Sequence, residues 1–414
     1  MATNGVSMDQ VEDVEFNSLH ISSLSPATQA IHADDPLNLV DDVAPPIHVS
    51  TTFRYEKDPE KLRPFHQRPA PVYDQGEHCY SRHTTHSTSR LEAILSVLLH
   101  NPCLTYSSGL SAFNALVTFV NPKRVAIGAG YHGCHGVLKL HQRLSGYCKP
   151  EELEKGDLLH LETPVNPTGL AFNIQHYADI AHSRGAYLSV DATFAPPPLQ
   201  DPFRHGADFV MHSGTKYFGG HSDMLCGVLA VKNKDCIPQL LEDRLVLGSV
   251  MGGLEGWLGV RSLRTLELRV TRQSQSAQRL VDALDGALTG ATVGTGLSQS
   301  DVEIIKSVLK KVHHASLQTE DYKTWLRKQM PNGYGPVFSI VMKTPEMARA
   351  LPSKLHLFQH ATSLGGVESL IEWRTMTDST VEQDLLRVSV GIEDDRDLLD
   401  DLIQGFKALG EQRP

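Results

Sequence analysis

The chain lacks any apolar run approaching the ~20 residues that cross a bilayer, so no membrane-spanning helix and no membrane partner are expected. It has only six cysteines in 414 residues (79, 103, 134, 148, 226 and 236), none in paired metal-ligand spacing, which suits a reducing compartment. Positive charge is the minority sign: 38 Lys and Arg stand against 48 Asp and Glu, for a net charge of -10. With no basic cluster, nucleic-acid binding is not expected. Residues Met1 to Phe16 are polar and acidic, unlike a secretory signal or an Arg-rich transit peptide, so a cytoplasmic protein is expected.

What is present is enough apolar sequence, 40%, for sizeable cores, and a length that allows two or three domains. Residues 1 to about 50 read as an arm broken by Pro36, Pro45 and Pro46, and residues 56–78, rich in Pro, His and charge, read as a loop. From about 80 to 250, short apolar runs alternate with helical stretches. The expected strands are Cys103–Tyr106, Arg124–Ile127, Leu158–Leu161, Tyr187–Val190 and Phe209–Met211, and Leu110, Phe113, Val117 and Val120 share one helical face. This alternation predicts an α/β fold with a doubly wound, mostly parallel sheet. After Gly252-Gly253 the pattern changes. One long helix is expected from Trp257 to about Leu284, a loop over 286–300, and strands at Val337–Met342, Leu355–Phe358 and Leu386–Val390, together a smaller C-terminal α/β domain. The expected division is an arm and loop over 1–79, a large domain over 80–252 and a small domain over 253–414.

The ten residues His212 to His221 set Lys216 among small hydroxyl residues and glycines, directly after the apolar run Phe209-Val210-Met211. An amine at the C-terminal edge of a strand lies where open α/β sheets collect ligands, and a lysine held there can lose its proton and condense with an aldehyde cofactor. Most lysines are simply solvated, so Lys216 gains meaning only from its companions. Ser107-Ser108-Gly109-Leu110 opens a helix after the first strand and suits a phosphate, although serine is also an ordinary cap. Tyr131, after the second strand, could stack on a pyridine ring and relay protons. His132, Cys134 and His135 follow it, too close in sequence for a tetrahedral metal site, and no metal is expected there; His83 and His86 fail in the same way. Asn166 lies in a polar turn after the third strand, where it could bond a ring hydroxyl or merely cap the turn. Asp191 ends the fourth strand and could pair with a pyridine nitrogen, keeping the ring cationic. Ser213 and Thr215 flank Lys216 as further phosphate or ring contacts. Five consecutive strand ends thus offer distinct roles toward pyridoxal 5'-phosphate (PLP).

These residues resemble the Cys/Met-metabolism family of PLP enzymes, which includes cystathionine γ-synthase, the cystathionine lyases, methionine γ-lyase and O-acetylhomoserine sulfhydrylase. The resemblance spans about residues 45–405. It rests on Tyr80-Ser-Arg82, Ser107-Ser-Gly-Leu110, Tyr131, Glu162-Thr-Pro-Val-Asn166-Pro167, Val190-Asp191-Ala-Thr-Phe and Ser213-Gly-Thr-Lys216-Tyr, and further on Thr362-Ser363-Leu-Gly-Gly-Val-Glu-Ser369-Leu-Ile and Arg387-Val-Ser-Val-Gly-Ile-Glu-Asp394. It implies a large domain of the aspartate aminotransferase-like fold type I. It implies that Lys216 bonds covalently to PLP, that Asp191 pairs with the pyridine nitrogen, and that Tyr131 stacks on the ring. Ser108, Gly109, Leu110, Ser213 and Thr215 would surround the phosphate. Tyr80 and Arg82 would reach the phosphate in a neighbouring subunit, making the protein a homo-oligomer, at least a dimer; the family usually forms a tetramer. Arg387, assisted by Ser363 and Asn166, would clamp the substrate α-carboxylate.

The chain departs from the family at several points. Thr85-His86-Ser87 replaces the frequent Asn-Pro-Thr, and Glu372-Trp373-Arg374 follows Ser369-Leu-Ile where His-Pro is usual. Thr362 stands where cystathionine lyases carry a glutamate, and the arginine they carry near His135-Gly136 is missing. Both charged residues hold the distal end of cystathionine in the lyases, so their loss argues against cystathionine as substrate. The expected activity is therefore γ-substitution on an O-acyl-L-homoserine by a thiol, or by a carbon acid such as a β-keto ester. The alternative is a β- or γ-lyase acting on a sulfur amino acid. A non-catalytic PLP-binding protein is disfavoured, because a pure binder needs neither a carboxylate clamp nor a proton-relaying tyrosine.

Overall fold

In the computed structural model the described residues are 21–38, 40–64, 78–141, 144 and 146–410. The first twenty residues of the expected arm and the loop stretch 65–77 lie outside them. Seven strands form the larger sheet: β1 (Cys103–Tyr106), β2 (Arg124–Ile127), β3 (Gly146–Tyr147), β4 (Leu158–Glu162), β5 (Tyr187–Asp191), β6 (Phe209–Ser213) and β7 (Gly227–Val231). Their order is β1-β7-β6-β5-β4-β2-β3. Pairs among β2 to β6 are parallel, and β7 runs antiparallel to both β6 and β1. Strands of a sheet covered on both faces are buried on both faces and largely apolar. Accordingly β1 and β7 are buried along their whole length, as are the first four residues of β4 and β6. The sequence pattern located β1, β2, β4, β5 and β6 to within two residues and missed the two-residue edge strand β3 and β7, an unbroken apolar run with no helix between it and β6.

The smaller sheet contains β8 (Leu309–His313), β9 (Val337–Met342), β10 (Gln359–His360), β11 (Leu370–Trp373) and β12 (Leu385–Ser389), in the order β10-β11-β12-β9-β8. No strand was expected at β8, β10 or β11, and three further details differ from expectation. Leu355–Phe358 is not a strand, because the backbone N–H groups of His356, Leu357 and Phe358 all donate to the carboxylate of Asp401. A single anion has replaced the ladder partner. The expected long helix is two, Gly253–Leu263 and Leu266–Thr289. The break follows from tertiary contacts: Arg264 turns toward the buried carboxylate of Asp34 at 2.7 Å and the carbonyl of Ala30 at 2.7 Å. The region 286–300 is a loop only in its middle, since the second helix runs to Thr289 and Ser298 caps another at Gln299–Val308.

Helix Leu266–Thr289 joins the two halves. Leu266 and Val270 belong to the apolar core under the large sheet, whereas Ala277, Leu280, Val281 and Leu284 belong to that of the small sheet. β12 of the small sheet carries Arg387, and the loop before β11 carries Ser363, both facing the carboxyl ends of β4, β5 and β6. No helix among the described residues is long and apolar enough to cross a membrane.

Candidate active site

Open parallel sheets leave a crevice beyond the carboxyl ends of their strands. Here it is a cavity of about 450 Å³ lined by Ser108, Tyr131, Asp191, Lys216, Ser363 and Arg387 among others. The strand ends supply its floor. Glu162 and Asp191 are the last residues of β4 and β5 and lie in register on adjacent strands. Ser213 ends β6, and Lys216 follows in the turn.

One wall is a helix start. Ser108 caps helix Gly109–Val120, its Oγ accepting the N–H of Ser111 at 3.1 Å. The N–H groups of Gly109 and Leu110 sit in the first turn, where a helix offers no internal acceptor and an anion is favoured. A side chain would be crowded here: a Cβ on Gly109 would lie 3.1 Å from the Cβ of Ser213. Behind it, a Cβ on Gly227 would lie 2.0 Å from the carbonyl oxygen of Ser108, so β7 can back the helix start only without a side chain. Thr215 is fixed by accepting the N–H of Cys226 at 3.0 Å.

Asp191 is 7% exposed, and its Oδ1 accepts from the N–H of Thr193 at 3.0 Å and from the Thr193 hydroxyl at 2.5 Å. Burial raises its pKa, opposed by the Thr193 bonds. Its neighbour Glu162 accepts the backbone N–H of Tyr131 and that of Asn166, each at 2.6 Å. Burial, and then the facing Asp191 carboxylate, push Glu162 up to about 8. Glu162 therefore anchors two of the expected site residues by their backbones. Sequence reasoning quoted it within a motif and gave it no role; its register with Asp191 was the available signal. Tyr131 sits at the N-terminal end of helix His132–Leu140, 40% exposed, and lines the cavity.

Lys216 Nζ donates to Ser363 Oγ at 2.7 Å. Burial, then the nearby Arg387 guanidinium, lower its pKa to about 8, against the opposing pull of Glu372. Ser363 has φ +81°, a left-handed conformation that costs a non-glycine residue on the order of 1–3 kcal/mol. It is held there by Arg387, whose Nη2 donates to the Ser363 carbonyl at 2.6 Å while Nη1 donates to Asn166 Oδ1 at 3.1 Å. Burial pushes Arg387 down only to about 10, so it stays a cation. Across the strand pair, Glu372 on β11 faces Arg387 on β12, with Oε2 2.6 Å from Arg387 Nη2.

The fold thus gathers Ser108, Gly109, Leu110, Tyr131, Asn166, Asp191, Ser213, Thr215, Lys216, Ser363 and Arg387 around one cavity. Tyr80 and Arg82 are not among its lining residues. They lie on a segment bridged to Thr52, with the Arg82 guanidinium 4.7 Å from the Tyr80 ring centroid. Thr362, Arg374 and Thr377 also line the cavity; sequence reasoning noted the first two only as departures and passed over Thr377.

The residues present fit PLP. A helix start cleared of side chains suits its phosphate, a buried carboxylate suits its ring nitrogen, and an amine with depressed pKa suits its aldehyde. Comparison with known proteins agrees. Cystathionine γ-lyase of Saccharomyces cerevisiae is 32% identical over 413 residues, covering 92% of this chain and 97% of that protein. Cystathionine γ-synthase of Escherichia coli is 31% identical, covering 89% and 94% respectively. The crystal structure of metB from Corynebacterium glutamicum superposes with a TM-score of 0.81 at 26% identity, over 94% of this chain and 99% of that one. The family model for Cys/Met metabolism PLP-dependent enzymes matches residues 27–407. With the cavity's cofactor-fitting residues all inside that matched span, the chain belongs to the Cys/Met metabolism family of PLP-dependent enzymes.

Proposed function

We propose that this enzyme catalyses γ-substitution on an O-acyl-L-homoserine, with a thiol or a carbon acid such as a β-keto ester as nucleophile. The observation that carries the reading is Thr362, which lines the cavity beside Ser363. At that point the cystathionine lyases carry a glutamate for the distal end of their substrate, and a neutral threonine leaves that end without an ionic partner. In the reaction the Cγ–O bond breaks and the acyl group leaves as a carboxylate. The nucleophile loses a proton as its sulfur or carbon bonds to Cγ.

On this reading Lys216 bonds the cofactor, Asp191 holds its ring nitrogen, Tyr131 covers its ring, and Ser108, Gly109, Leu110, Ser213 and Thr215 take its phosphate. When bound, PLP supplies an electron sink for charge developing on the substrate carbons. Arg387, with Ser363 and Asn166, holds the α-carboxylate and so aims the Cα–H at Lys216. Lys216 Nζ, with its pKa near working pH, takes and returns protons at the substrate carbons, and the Tyr131 hydroxyl relays them. Tyr80 and Arg82 serve the phosphate of a neighbouring copy, making a homo-oligomer with shared sites. The same reading divides the chain into an arm and loop over 1–79, a PLP-binding domain over 80–252 and a small domain over 253–414.

A second reading, β- or γ-elimination from a sulfur amino acid, is favoured by the 32% identity to a γ-lyase. The deciding experiment supplies O-acetyl-L-homoserine with a panel of thiols and β-keto esters and follows products by mass spectrometry. The expected result is 2-oxobutyrate and ammonia without a nucleophile, replaced by a new amino acid when one is added. Pyruvate or 2-oxobutyrate from cystathionine, or pyruvate from cysteine, with O-acetyl-L-homoserine untouched, would overturn the proposal in favour of the lyase.

A further inference from the structure

The α-carboxylate clamp is not an isolated arginine. Two buried guanidinium groups share one buried carboxylate: Glu372 Oε2 lies 2.6 Å from Arg387 Nη2 and 2.9 Å from Arg374 Nη1, and all three side chains are 3–4% exposed. The second oxygen, Oε1, accepts the Thr377 hydroxyl at 2.7 Å, and that hydroxyl accepts Arg374 Nη1 at 3.0 Å. Arg374 has little else to hold. Its Nε has no hydrogen-bond partner among the described residues, and its next carboxylate, Asp378, is 3.8 Å away. Arg374 also stands where the chain departs from the usual residues after Ser369-Leu-Ile.

The charge arithmetic makes Arg374 consequential. Glu372 and Arg387 alone are a closed pair, -1 and +1, in a dry site where charges act strongly. An incoming carboxylate would then have to compete with Glu372 for the same guanidinium. Arg374 adds a second cation on the same oxygen, so Glu372 remains paired when Arg387 turns to the substrate.

We propose that Arg374 is a positioning residue: by holding Glu372 it frees the guanidinium of Arg387 for the α-carboxylate of the amino-acid substrate. The inference rests on the proposed amino-acid site and is independent of whether that site substitutes or eliminates. The test is therefore made with L-norvaline, which has the α-amino acid group and no leaving group. Its binding to PLP-loaded protein is followed by the cofactor's visible absorption.

Arg374→Met should weaken L-norvaline binding about tenfold or more, with PLP content unchanged, because Glu372 then claims Arg387. Glu372→Gln should bind as tightly as wild type or tighter. The double variant Glu372→Gln/Arg374→Met should return to within about threefold of Glu372→Gln, because Arg374 has no further task once the carboxylate is gone. Unchanged binding in Arg374→Met overturns the proposal. So does a double variant as weak as Arg374→Met, which would mean that Arg374 meets the substrate directly. Should Arg374→Met fail to fold, Glu372→Gln against the double variant decides alone: about threefold or less supports the relay, and tenfold or more overturns it. A wild-type protein that takes up PLP and responds to no L-amino acid would overturn the amino-acid reading itself, and this inference with it.

Discussion

Capture of PLP by the cofactor-free protein is expected to titrate with Lys216. The nucleophile is the neutral amine, and burial beside Arg387 lowers its pKa from 10.5 to about 8. At pH 7 about one molecule in ten carries the free amine, against about one in three thousand for an ordinary lysine, a difference of about 300-fold. Stopped-flow absorbance between about pH 6.5 and 10 should show the capture rate rising about tenfold per pH unit, bending near 8 and then levelling. Arg387→Met removes the second-largest cause and leaves Glu372 with one cation, Arg374, in place of two, and both changes favour the ammonium. The bend should therefore move upward, whereas Arg387→Lys should hold it near its original place. A rate still climbing tenfold per unit above pH 9 would refute the argument that burial depresses this amine. A downward move in Arg387→Met would refute the electrostatic part.

Two further outcomes concern stability. Glu92 and Arg244 form a buried pair at 2.6 Å, both side chains 4% exposed, and Glu92 Oε1 also accepts the N–H and hydroxyl of Thr105 on β1. Glu92→Ala should cost about 3–5 kcal/mol in denaturant unfolding because Arg244 is left buried and unpaired, and a loss below about 1 kcal/mol would contradict this. Burial also holds His160 and His212 down to about 3 and His314 down to about 4, so all three are neutral in the fold and take up protons near 6.5 once unfolded. Their contribution is complete above pH 6.5 and is lost as pH falls toward 4, while Glu162, raised to about 8, works in the opposite sense between 4.5 and 8. Between about pH 4.5 and 6.5 three protons outweigh one, so stability should fall on acidification through that range. His160→Gln should reduce the slope by about 1.4 kcal/mol per pH unit, and an unchanged slope would mean that His160 is not held neutral.

Much of the large sheet was legible because its strands are short, apolar on both faces and separated by amphipathic helices. Cys103–Tyr106 and Arg124–Ile127 have the bounds their sequence suggested. β7 was not legible because the clues used were alternation with helices and chemistry at strand ends, and it follows β6 through the Lys216 loop alone. The small sheet was less legible for a related reason. Leu355–Phe358 has a strand's composition, but the carboxylate of Asp401, more than forty residues away, captures its N–H groups. No local pattern announces such a partner. The break at Arg264 likewise belongs to Asp34, which lies 230 residues earlier in the chain.

Sequence alone determined the kind of fold and the chemical cast. Apolar runs of strand length, and polar residues set at their ends, are local properties that survive in any context the chain adopts. Tertiary structure alone decided the electrostatics. Glu162 is remote in sequence from Asp191, Arg374 from Arg387, and Lys216 from Ser363, so their pKa values, their strain and their shared charges exist only once β4, β5, β11 and β12 bring them within a few ångströms in a dry cavity. Coulomb energy depends on distance and on exclusion of water, and both are properties of the folded chain.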